Sequence, residues 1–341
     1  MKKLISVVMS IVLILSIIPI NVFAIENDSF GGIDVSQYTD SELDLTQYTM
    51  NDIVNMTADE YLDLVAEFER VYNPYNSYVE TEVEFDDLSM TSIGDETISP
   101  QWSSGKIEDE EYTESGCHEY ISSVACGILI NDKGFFANNA TASVVIALLI
   151  SLASLLPDQD ERGTPLYVFD GHFYDPDSNE NYHGETTNTA KTNAVAHYQT
   201  AVEAARDGNM DAAYEHLGRC LHYVQDANEP HHASNVHAFQ IPYGVSHGVF
   251  ETFAFENQES YLGEYHSIAS SNYTNAAAWG VDRITHEGAV EAKPMIQHVR
   301  NILNQDDWPE YAKESMENAA RYSTMILYKF GIESVVPFYS N

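Results

Sequence analysis

The stretch Leu221-His-Tyr-Val-Gln-Asp-Ala-Asn-Glu-Pro-His-His232 carries a helical segment into a turn and brings imidazole and carboxylate side chains close together along the chain. His222 and Asp226 are four residues apart, so they lie on one face of a helix and can reach one metal ion. Pro230 disfavours helix just before it, so the helix ends ahead of a further imidazole. We therefore predict a helix that carries metal ligands at its end.

A second pair of histidine and carboxylate repeats this spacing farther along the chain. His247 and Glu251 are four residues apart in Ser246-His-Gly-Val-Phe-Glu251. Imidazole and carboxylate are common zinc ligands, so two such pairs within about thirty residues indicate a cluster of divalent metal ions. Zinc is the metal that we expect.

Helical periodicity extends over most of the chain beyond residue 102, and strand-like alternation is scarce. Residues 144–156 are apolar on all sides but fall short of the ~20 that a membrane crossing needs, so we predict a buried central helix there. Further helices are predicted over 189–207, 211–226 and 309–330, with Gly331 ending the last. Residues 102–341 can bury one substantial core, so we predict a single all-α domain.

The first residues have the features of a secretory signal. Met1-Lys-Lys-Leu4 supplies the positive charge, an apolar run extends to Ile20, and Val22 and Ala24 fit a cleavage site. We therefore predict a signal peptide over residues 1–24 and a secreted protein. An uncleaved segment that anchors the protein in a membrane is the alternative.

Acidic residues dominate the composition. The formal net charge is −38, with only 15 Lys and Arg, which argues against electrostatic capture of nucleic acid or anionic lipid by the bare protein. Residues 25–101 contain a single basic side chain, Arg70, so we predict an acidic propeptide over this range. The chain has 3 cysteines. An odd number cannot all pair, so we expect buried thiols rather than a disulfide framework.

Four motifs follow one another in a specific order: Pro157-Asp-Gln-Asp160, Asp170-Gly-His-Phe-Tyr-Asp-Pro-Asp177, the stretch 221–235, and His247-Gly-Val-Phe-Glu-Thr-Phe253. Together they resemble the bacterial zinc-dependent phospholipase C family, which includes a secreted bacillus enzyme and the catalytic domain of clostridial alpha-toxin. The likeness spans nearly all of residues 102–341. It implies an enzyme that cleaves the phosphodiester of glycerophospholipids to diacylglycerol and a phosphorylated headgroup.

The resemblance implies three zinc ions and a ligand set for each. The first ion is expected to bind Asp158, His172, His222 and Asp226. The second is expected to bind Trp102, His118 and the other oxygen of Asp226, and the third His232, His247 and Glu251. A carboxylate suits the bridging position because it has two oxygens, whereas an imidazole offers one free nitrogen.

Trp102 is an unusual ligand. The family's mature chain begins with a tryptophan that binds zinc through its own amino nitrogen and carbonyl oxygen. An internal peptide nitrogen has no free lone pair, so cleavage after Gln101 would create the ligand. The resemblance therefore implies a zymogen that an activating protease matures, and an ordinary core tryptophan is the alternative.

Several other polar residues are weighed against these ligands. Of the adjacent His231 and His232, the family spacing selects His232, and a shift by one residue is the alternative. Asp160, Asp175 and Asp177 are interpreted as turn and solvated residues. Seven further histidines are interpreted as surface or satisfied core residues: His183, His197, His216, His237, His266, His286 and His298.

The resemblance also implies roles in catalysis and in substrate binding. A water shared by two zinc ions would have a lowered pKa and would attack phosphorus, with Asp158 as a ligand and the general base. Phe169 resembles an aromatic residue placed near a choline headgroup, where cation–π attraction favours a quaternary amine. Gln159 departs from the family's tyrosine, so ethanolamine and inositol headgroups stay open. We expect a monomer that meets phospholipid in transient contact with the membrane surface.

Two other functions fit parts of the pattern. A secreted zinc nuclease of the same superfamily also uses an N-terminal tryptophan and three metal ions. The pair His247 and Glu251 and the acidic surface favour the phospholipase over the nuclease. A zinc-binding protein without activity is the second alternative, and the completeness of the ligand set argues against it.

Overall fold

A computed structural model of the chain describes residues 116–134, 140–161, 166–237, 240 and 245–334. It also describes isolated positions before them, at 43, 45–47, 64, 67–68, 71, 107–108 and 111–112. Contacts along the chain separate a first unit, Met1–Phe30, which lies outside the described residues, from a second unit, Gly31–Asn341. Every element below belongs to the second unit.

The described part of the chain is mostly α-helical. Its α-helices are α1 Cys117–Lys133, α2 Ala140–Ala153, α3 Leu156–Glu161, α4 Ala190–Arg206, α5 Met210–Asp226, α6 Val245–Leu262, α7 Ser270–Ala278, α8 Val281–Ala292, α9 Ile296–Val299 and α10 Trp308–Glu333. Short 3-10 helices occur at Leu45–Gln47, Leu166–His172, His232–Ser234 and Lys293–Met295. The β structure in this part is a hairpin of β1 Ile107–Glu108 and β2 Glu111–Tyr112, and one bridge between Asp175 and Glu180. The prediction of a mostly helical fold is confirmed.

Helices α4 and α5 begin close to where the sequence predicts. Thr189 caps α4 by accepting a hydrogen bond from the Thr192 N–H, and Asn209 caps α5 by accepting one from the Ala212 N–H. Gly208 has a φ of 79°, a conformation that residues with a Cβ rarely adopt. It makes the short turn that lets α4 and α5 pack against each other as a helical hairpin.

The predicted central helix is interrupted near its end. α2 stops before a turn at residues 154–155, after which α3 begins. The prediction of one helix over 144–156 is therefore wrong at its C-terminal end. Pro157 has no N–H, and in an unbroken helix its ring would clash with the carbonyl of Ala153. The break directs the Ser154 carbonyl out of the helix.

One segment among the described residues, Ser143–Asp160, is long and apolar enough to cross a membrane by length and composition alone. Most of it, 83%, is buried inside the protein. A helix that is apolar on all sides is buried when it lies in the core of a large domain. The prediction that this segment is buried is confirmed.

Helix α10 passes through the core and is longer than predicted. It continues past Gly331 to Glu333, so the predicted end at Gly331 is wrong. Gly331 is buried within the helix, and Lys329 pairs with Glu333 across the last turn. The helix packs against α1, α5, α6, α7 and α8.

Aromatic side chains fix α6 against α10. Phe250 and Trp308 are fully buried, and their rings meet edge to face with centroids 5.4 Å apart. Such a pair contributes about 1 kcal/mol beyond the burial of its area. It therefore holds in place the turn of α6 that carries Glu251.

The three cysteines, Cys117, Cys126 and Cys220, are free and buried, as predicted. Burial raises the pKa of Cys126 to about 12. Burial, followed by the nearby Glu251 carboxylate, raises the pKa of Cys117 well above its ordinary value. The thiols therefore stay protonated at neutral pH and behave as apolar core residues.

Candidate metal centre

The carboxylate of Asp226, at the C-terminal end of α5, lies at the centre of a buried group of imidazoles. Its Oδ2 is 2.9 Å from His172 Nδ1 and 3.2 Å from His222 Nε2. Its Oδ1 is 3.2 Å from His232 Nδ1 and 3.6 Å from His118 Nε2. The two oxygens of one carboxylate therefore face two different pairs of imidazoles.

Helix α5 can position these groups because it lies inside the bundle, in contact with α1, α2, α3, α4 and α10. His222 and Asp226 lie one turn apart on its buried face. α1 supplies His118 from its first turn, and the 3-10 helix Leu166–His172 supplies His172 from its last residue. Residues from three separate parts of the chain thus meet at the end of one helix.

Asp158, on α3, lies at the solvent side of this group. Its Oδ1 is 3.5 Å from His222 Nε2 and 3.8 Å from His172 Nδ1. Those two ring nitrogens are themselves 3.0 Å apart. The Asp158 side chain is 16% exposed, whereas the Asp226 side chain is 1% exposed. Of the carboxylates in this group, Asp158 is therefore the one that water reaches most easily.

A second group adjoins the first on the side of α6. Glu251 Oε1 is 2.9 Å from His247 Nε2, one turn earlier on α6, and 3.3 Å from His232 Nε2. Glu229 completes the group, because ligand atoms of all four residues lie within 4.8 Å of one another. All four residues are buried, so this second group is closed to solvent.

In His118 and His222, the ring nitrogen that faces away from Asp226 is hydrogen-bonded to an oxygen acceptor. His118 Nδ1 is 2.7 Å from Gln225 Oε1, and His222 Nδ1 is 2.7 Å from the Ser154 carbonyl. A carbonyl oxygen only accepts, so each Nδ1 carries the proton and donates it. Each Nε2 then presents a lone pair to the carboxylates. Metal-binding histidines are oriented in this way by their surroundings.

The charge states of the first group suit metal ligands. Burial, followed by the neighbouring His222, lowers the pKa of His118 to about 3, so this ring is neutral at physiological pH. Burial alone would raise the pKa of Asp226, but His222, His172 and His232 together hold it well below its ordinary value. A neutral imidazole and an ionised carboxylate are the forms that bind metal.

The second group has a strongly negative environment. Burial alone would lower the pKa of His232, yet the Asp226, Glu251 and Glu229 carboxylates raise it well above its ordinary value. Burial opposes ionisation of Glu251 as well, but His247 and His232 lower its pKa. The pocket around His232 therefore attracts positive charge.

The donor set fits divalent cations. Within the described residues, three groups bring their ligand atoms within 4.8 Å of one another: Glu229, His232, His247 and Glu251; His118, Asp158 and His222; and His172, His222 and Asp226. The carboxylates leave this pocket negatively charged, and a buried charge needs a compensating partner. Nitrogen and oxygen donors in small groups of three or four suit zinc.

Curated proteins resemble the chain, although no family model matches it. A phospholipase C of Clostridium perfringens is 26% identical over 245 residues, which cover 63% of this chain and 58% of that protein. A phospholipase C of Bacillus cereus is 30% identical over 157 residues, which cover 46% of this chain and 52% of that protein. The chain is therefore similar in sequence to bacterial proteins named phospholipase C.

Solved structures of clostridial toxins share the fold of this chain. Alpha-toxin from Clostridium absonum has a TM-score of 0.57 and 23% identity, and the match covers 67% of this chain and 66% of the toxin. Alpha-toxin from an avian strain of Clostridium perfringens has a TM-score of 0.54 and 26% identity, and the match covers 67% and 64%. The chain spans less than two thirds of the length of these clostridial relatives.

The ligands predicted from sequence within the described residues lie together in the structure. They are His118, Asp158, His172, His222, Asp226, His232, His247 and Glu251. Trp102 lies outside the described residues. Binding of zinc by Trp102 and by the others stays a prediction.

His231, the alternative to its neighbour His232, makes different contacts. Its Nδ1 is 2.8 Å from Glu229 Oε1, and its Nε2 is 3.0 Å from Ser246 Oγ. Both ring nitrogens of His231 therefore have partners, whereas His232 faces Asp226 and Glu251. The geometry favours His232 as the ligand.

Phe169 lies beside the candidate centre. It is half-buried, and its ring centroid is 5.8 Å from that of His172, three residues later in the same 3-10 helix. A contact between this ring and a lipid headgroup stays a prediction.

The acidic residues that we interpreted as turn residues are engaged in ion pairs. Asp160 Oδ2 is 2.6 Å from Arg219 Nη1. Asp175 and Asp177, in the turn that follows Tyr174, both form ion pairs with Lys293. These contacts account for the three aspartates without a metal ion.

Sequence reasoning missed three parts of the centre: the Glu229 carboxylate, the Gln225 amide and the Ser154 carbonyl. Glu229 was visible inside the ligand-rich stretch, but it lies beyond the end of α5 at Asp226, so helical spacing does not place it. Gln225 follows His222 and points toward another helix, so its contact with His118 depends on tertiary packing. A backbone carbonyl has no signature in the sequence at all.

Proposed function

We propose that this protein is a secreted zinc-dependent phospholipase C, which hydrolyses the phosphodiester of glycerophospholipids to diacylglycerol and a phosphorylated headgroup. The observation that carries the proposal is the meeting of imidazoles and carboxylates from several elements around Asp226. The relatives named phospholipase C support the same reaction.

Three zinc ions are proposed, with the ligands that the resemblance implies. Asp158, His172, His222 and Asp226 would hold the first, and His232, His247 and Glu251 would hold the third. Trp102, His118 and the other oxygen of Asp226 would hold the second. The bridging role is supported by the two oxygens of Asp226, which face different imidazoles.

Zinc bound here would supply a Lewis acid that lowers the pKa of water and offsets the negative charge of a phosphodiester. Asp158 is proposed as the general base, which accepts a proton from the attacking water. Its partial exposure and its distance of 3.5 Å from His222 Nε2 support this role. The buried imidazoles keep their orientation during the reaction because Ser154 and Gln225 hold their outer nitrogens.

Secretion and maturation belong to the same proposal. A signal peptide over residues 1–24 directs export, and an acidic propeptide over 25–101 precedes the catalytic domain, 102–341. An activating protease then exposes the amino group of Trp102. The high ratio of acidic to basic side chains in the chain favours zinc over nucleic acid as a partner.

Headgroup contact is proposed at Phe169. Its half-buried ring lies beside His172, so a cationic headgroup could rest on it while the phosphate meets the centre. Choline fits this contact, and ethanolamine and inositol stay open. We propose a monomer that touches the membrane surface only transiently.

The experiment compares two substrates on the purified secreted protein. Dispersed phosphatidylcholine and single-stranded DNA are incubated with the protein alone, with a zinc chelator, and with the chelator followed by zinc. The proposal expects release of phosphocholine and diacylglycerol, loss of that release with the chelator, and recovery with zinc. Hydrolysis of DNA alone would identify a nuclease, and bound zinc without either activity would identify a binding protein. Both results contradict the proposal.

A further inference from the structure

A buried chain of hydrogen bonds runs behind the second group of the candidate centre. Glu229 Oε1 is 2.8 Å from His231 Nδ1, and His231 Nε2 is 3.0 Å from Ser246 Oγ. Glu229 and His231 have no exposed surface, and Ser246 is 1% exposed. We call these three residues the Glu229 network.

The direction of each hydrogen bond in the Glu229 network follows from its acceptors. Glu229 Oε2 accepts a hydrogen bond from the His232 N–H, and Oε1 of the same carboxyl group accepts from His231. His231 therefore donates from Nδ1. In the neutral ring Nε2 is then an acceptor, so the Ser246 hydroxyl donates to it. The order is that of a serine, histidine and acid triad.

The Glu229 network touches the predicted ligands at three points. Glu229 Oε2 accepts a hydrogen bond of 2.7 Å from the His232 N–H. The His231 ring lies parallel to that of His247, with centroids 5.0 Å apart and an interplanar angle of 6°. Ser246 immediately precedes His247 on α6. The network thus connects the turn that carries His232 to the helix that carries His247.

Two features argue against a nucleophilic role for Ser246. Its hydroxyl is buried, so no ester could approach it without unfolding this part of α6. The acid of the network is also shared, because the second oxygen of Glu229 holds the His232 backbone. A triad that activates a nucleophile needs an accessible hydroxyl.

We propose that Glu229, His231 and Ser246 are positioning residues for the third metal ion: they set the orientation of the His232 and His247 imidazoles and thereby the affinity of that one site. This rests on the proposed function, because it assumes that His232, His247 and Glu251 bind zinc. Partners that orient metal ligands from outside typically change metal affinity by about 10–100-fold when they are removed.

The test measures zinc per chain in the full secreted protein, during titration with a competing chelator, for three variants. Ser246→Ala removes the hydroxyl that donates to His231. His231→Phe keeps a flat ring against His247 but no hydrogen bonds, and Glu229→Gln removes the charge of the acceptor.

Thr285→Val is the matched control, because it removes a buried hydroxyl whose hydrogen bond to the Val281 carbonyl stays within α8. Ser246→Thr keeps the hydroxyl and serves as the conservative variant.

The expected result is selective. Each of the three variants should lose one zinc ion of three at about 10–100-fold lower chelator concentration than the unmodified protein. In these variants the other two ions should be lost at the same chelator concentration as in the unmodified protein. The Thr285→Val control and the Ser246→Thr variant should lose all their zinc at the same chelator concentrations as the unmodified protein. A purely structural role would lower the thermal unfolding midpoint of the zinc-free protein and weaken all ions alike, and that result would overturn the proposal.

Two further outcomes separate this inference from the proposed function. If the unmodified protein binds three zinc ions and the variants lose them at the same chelator concentration, the positioning role is wrong and the proposed function stands. If the unmodified protein binds no zinc, both fail. Labelling of Ser246 in the native protein by a fluorophosphonate would also overturn the inference, since it would identify an accessible nucleophile.

Discussion

His222 Nε2 lies 3.2 Å from Asp226 Oδ2. His222 precedes Asp226 by one turn of the same helix. The geometry of an α-helix fixes this pairing, because residues four apart lie above one another. The Ser154 carbonyl fixes the other ring nitrogen of His222 at 2.7 Å. The break between α2 and α3, imposed by Pro157, therefore contributes directly to the orientation of a predicted zinc ligand.

Asp226→Asn should abolish most of the activity. The amide replaces one of the two oxygens that face the imidazoles with an NH₂ group and removes the charge. Because even changes outside the ligand shell cost about 10–100-fold, we expect phosphatidylcholine hydrolysis to fall more than about 100-fold and at least one zinc ion to be lost. Asp177→Asn is the control, since that side chain is 82% exposed. Equal activity and zinc content in the two variants would contradict the bridging role.

Gln225→Leu should weaken the ion that His118 binds. Gln225 accepts the His118 Nδ1 proton at 2.7 Å, so leucine would leave a buried donor without an acceptor and free the ring to reorient. We expect about 10–100-fold weaker binding of one zinc ion, measured by chelator competition. Gln225→Glu keeps an oxygen acceptor and should retain more affinity than leucine. The reverse order would show that the contact does not orient His118.

The sequence predicted the ligand-bearing helices well where a single element decides the geometry. His222 with Asp226, and His247 with Glu251, are local pairs on α5 and α6, and the structure has them within 3.2 Å and 2.9 Å. The approach of the two groups to each other depends on how α1, α5 and α6 pack. Only the resemblance to a known family anticipated it.

Most features that sequence reasoning missed have tertiary causes. The break at residues 154–155 is the exception, because Pro157 is a local signal that the continuous apolar run up to Leu156 obscured. Gly331 would end an exposed helix, but burial of α10 and the pairing of Lys329 with Glu333 carry the helix past it. The network through Glu229 needs the fold to bring Ser246 to His231.

His197 should make the zinc-free protein less stable in mild acid. Burial, followed by the neighbouring His216, lowers its pKa from 6.5 to about 4. Between these values the unfolded chain binds a proton that the folded protein does not, so stability is present above pH 6.5 and falls as pH decreases toward 4. One such group contributes at most about 1.4 kcal/mol per pH unit.

Urea unfolding at pH 7, 6 and 5 measures this effect. His197→Phe keeps a ring stacked near Tyr223 but cannot bind a proton. The stability of this variant should depend less steeply on pH than that of the unmodified protein, with both kept free of zinc. Parallel pH profiles would mean that His197 does not titrate in this range.

Trp102 should be the first residue of the mature secreted protein. Cleavage after Gln101 would turn a peptide nitrogen into an amine with a lone pair for zinc. Intact mass and N-terminal sequencing of the secreted protein measure the cleavage site, and zinc analysis of precursor and mature forms measures its effect. We expect the precursor to hold fewer zinc ions. A mature form that begins elsewhere, with the same zinc content as the precursor, would remove Trp102 from the ligand set.

The central claim is that zinc lies among the imidazoles around Asp226, and anomalous diffraction at the zinc absorption edge tests it most directly. The account predicts three anomalous peaks in crystals of the secreted protein. Two should flank the Asp226 carboxylate, and the third should lie between His232, His247 and Glu251. Crystals grown with zinc that give no anomalous peak within this group of side chains would contradict the account.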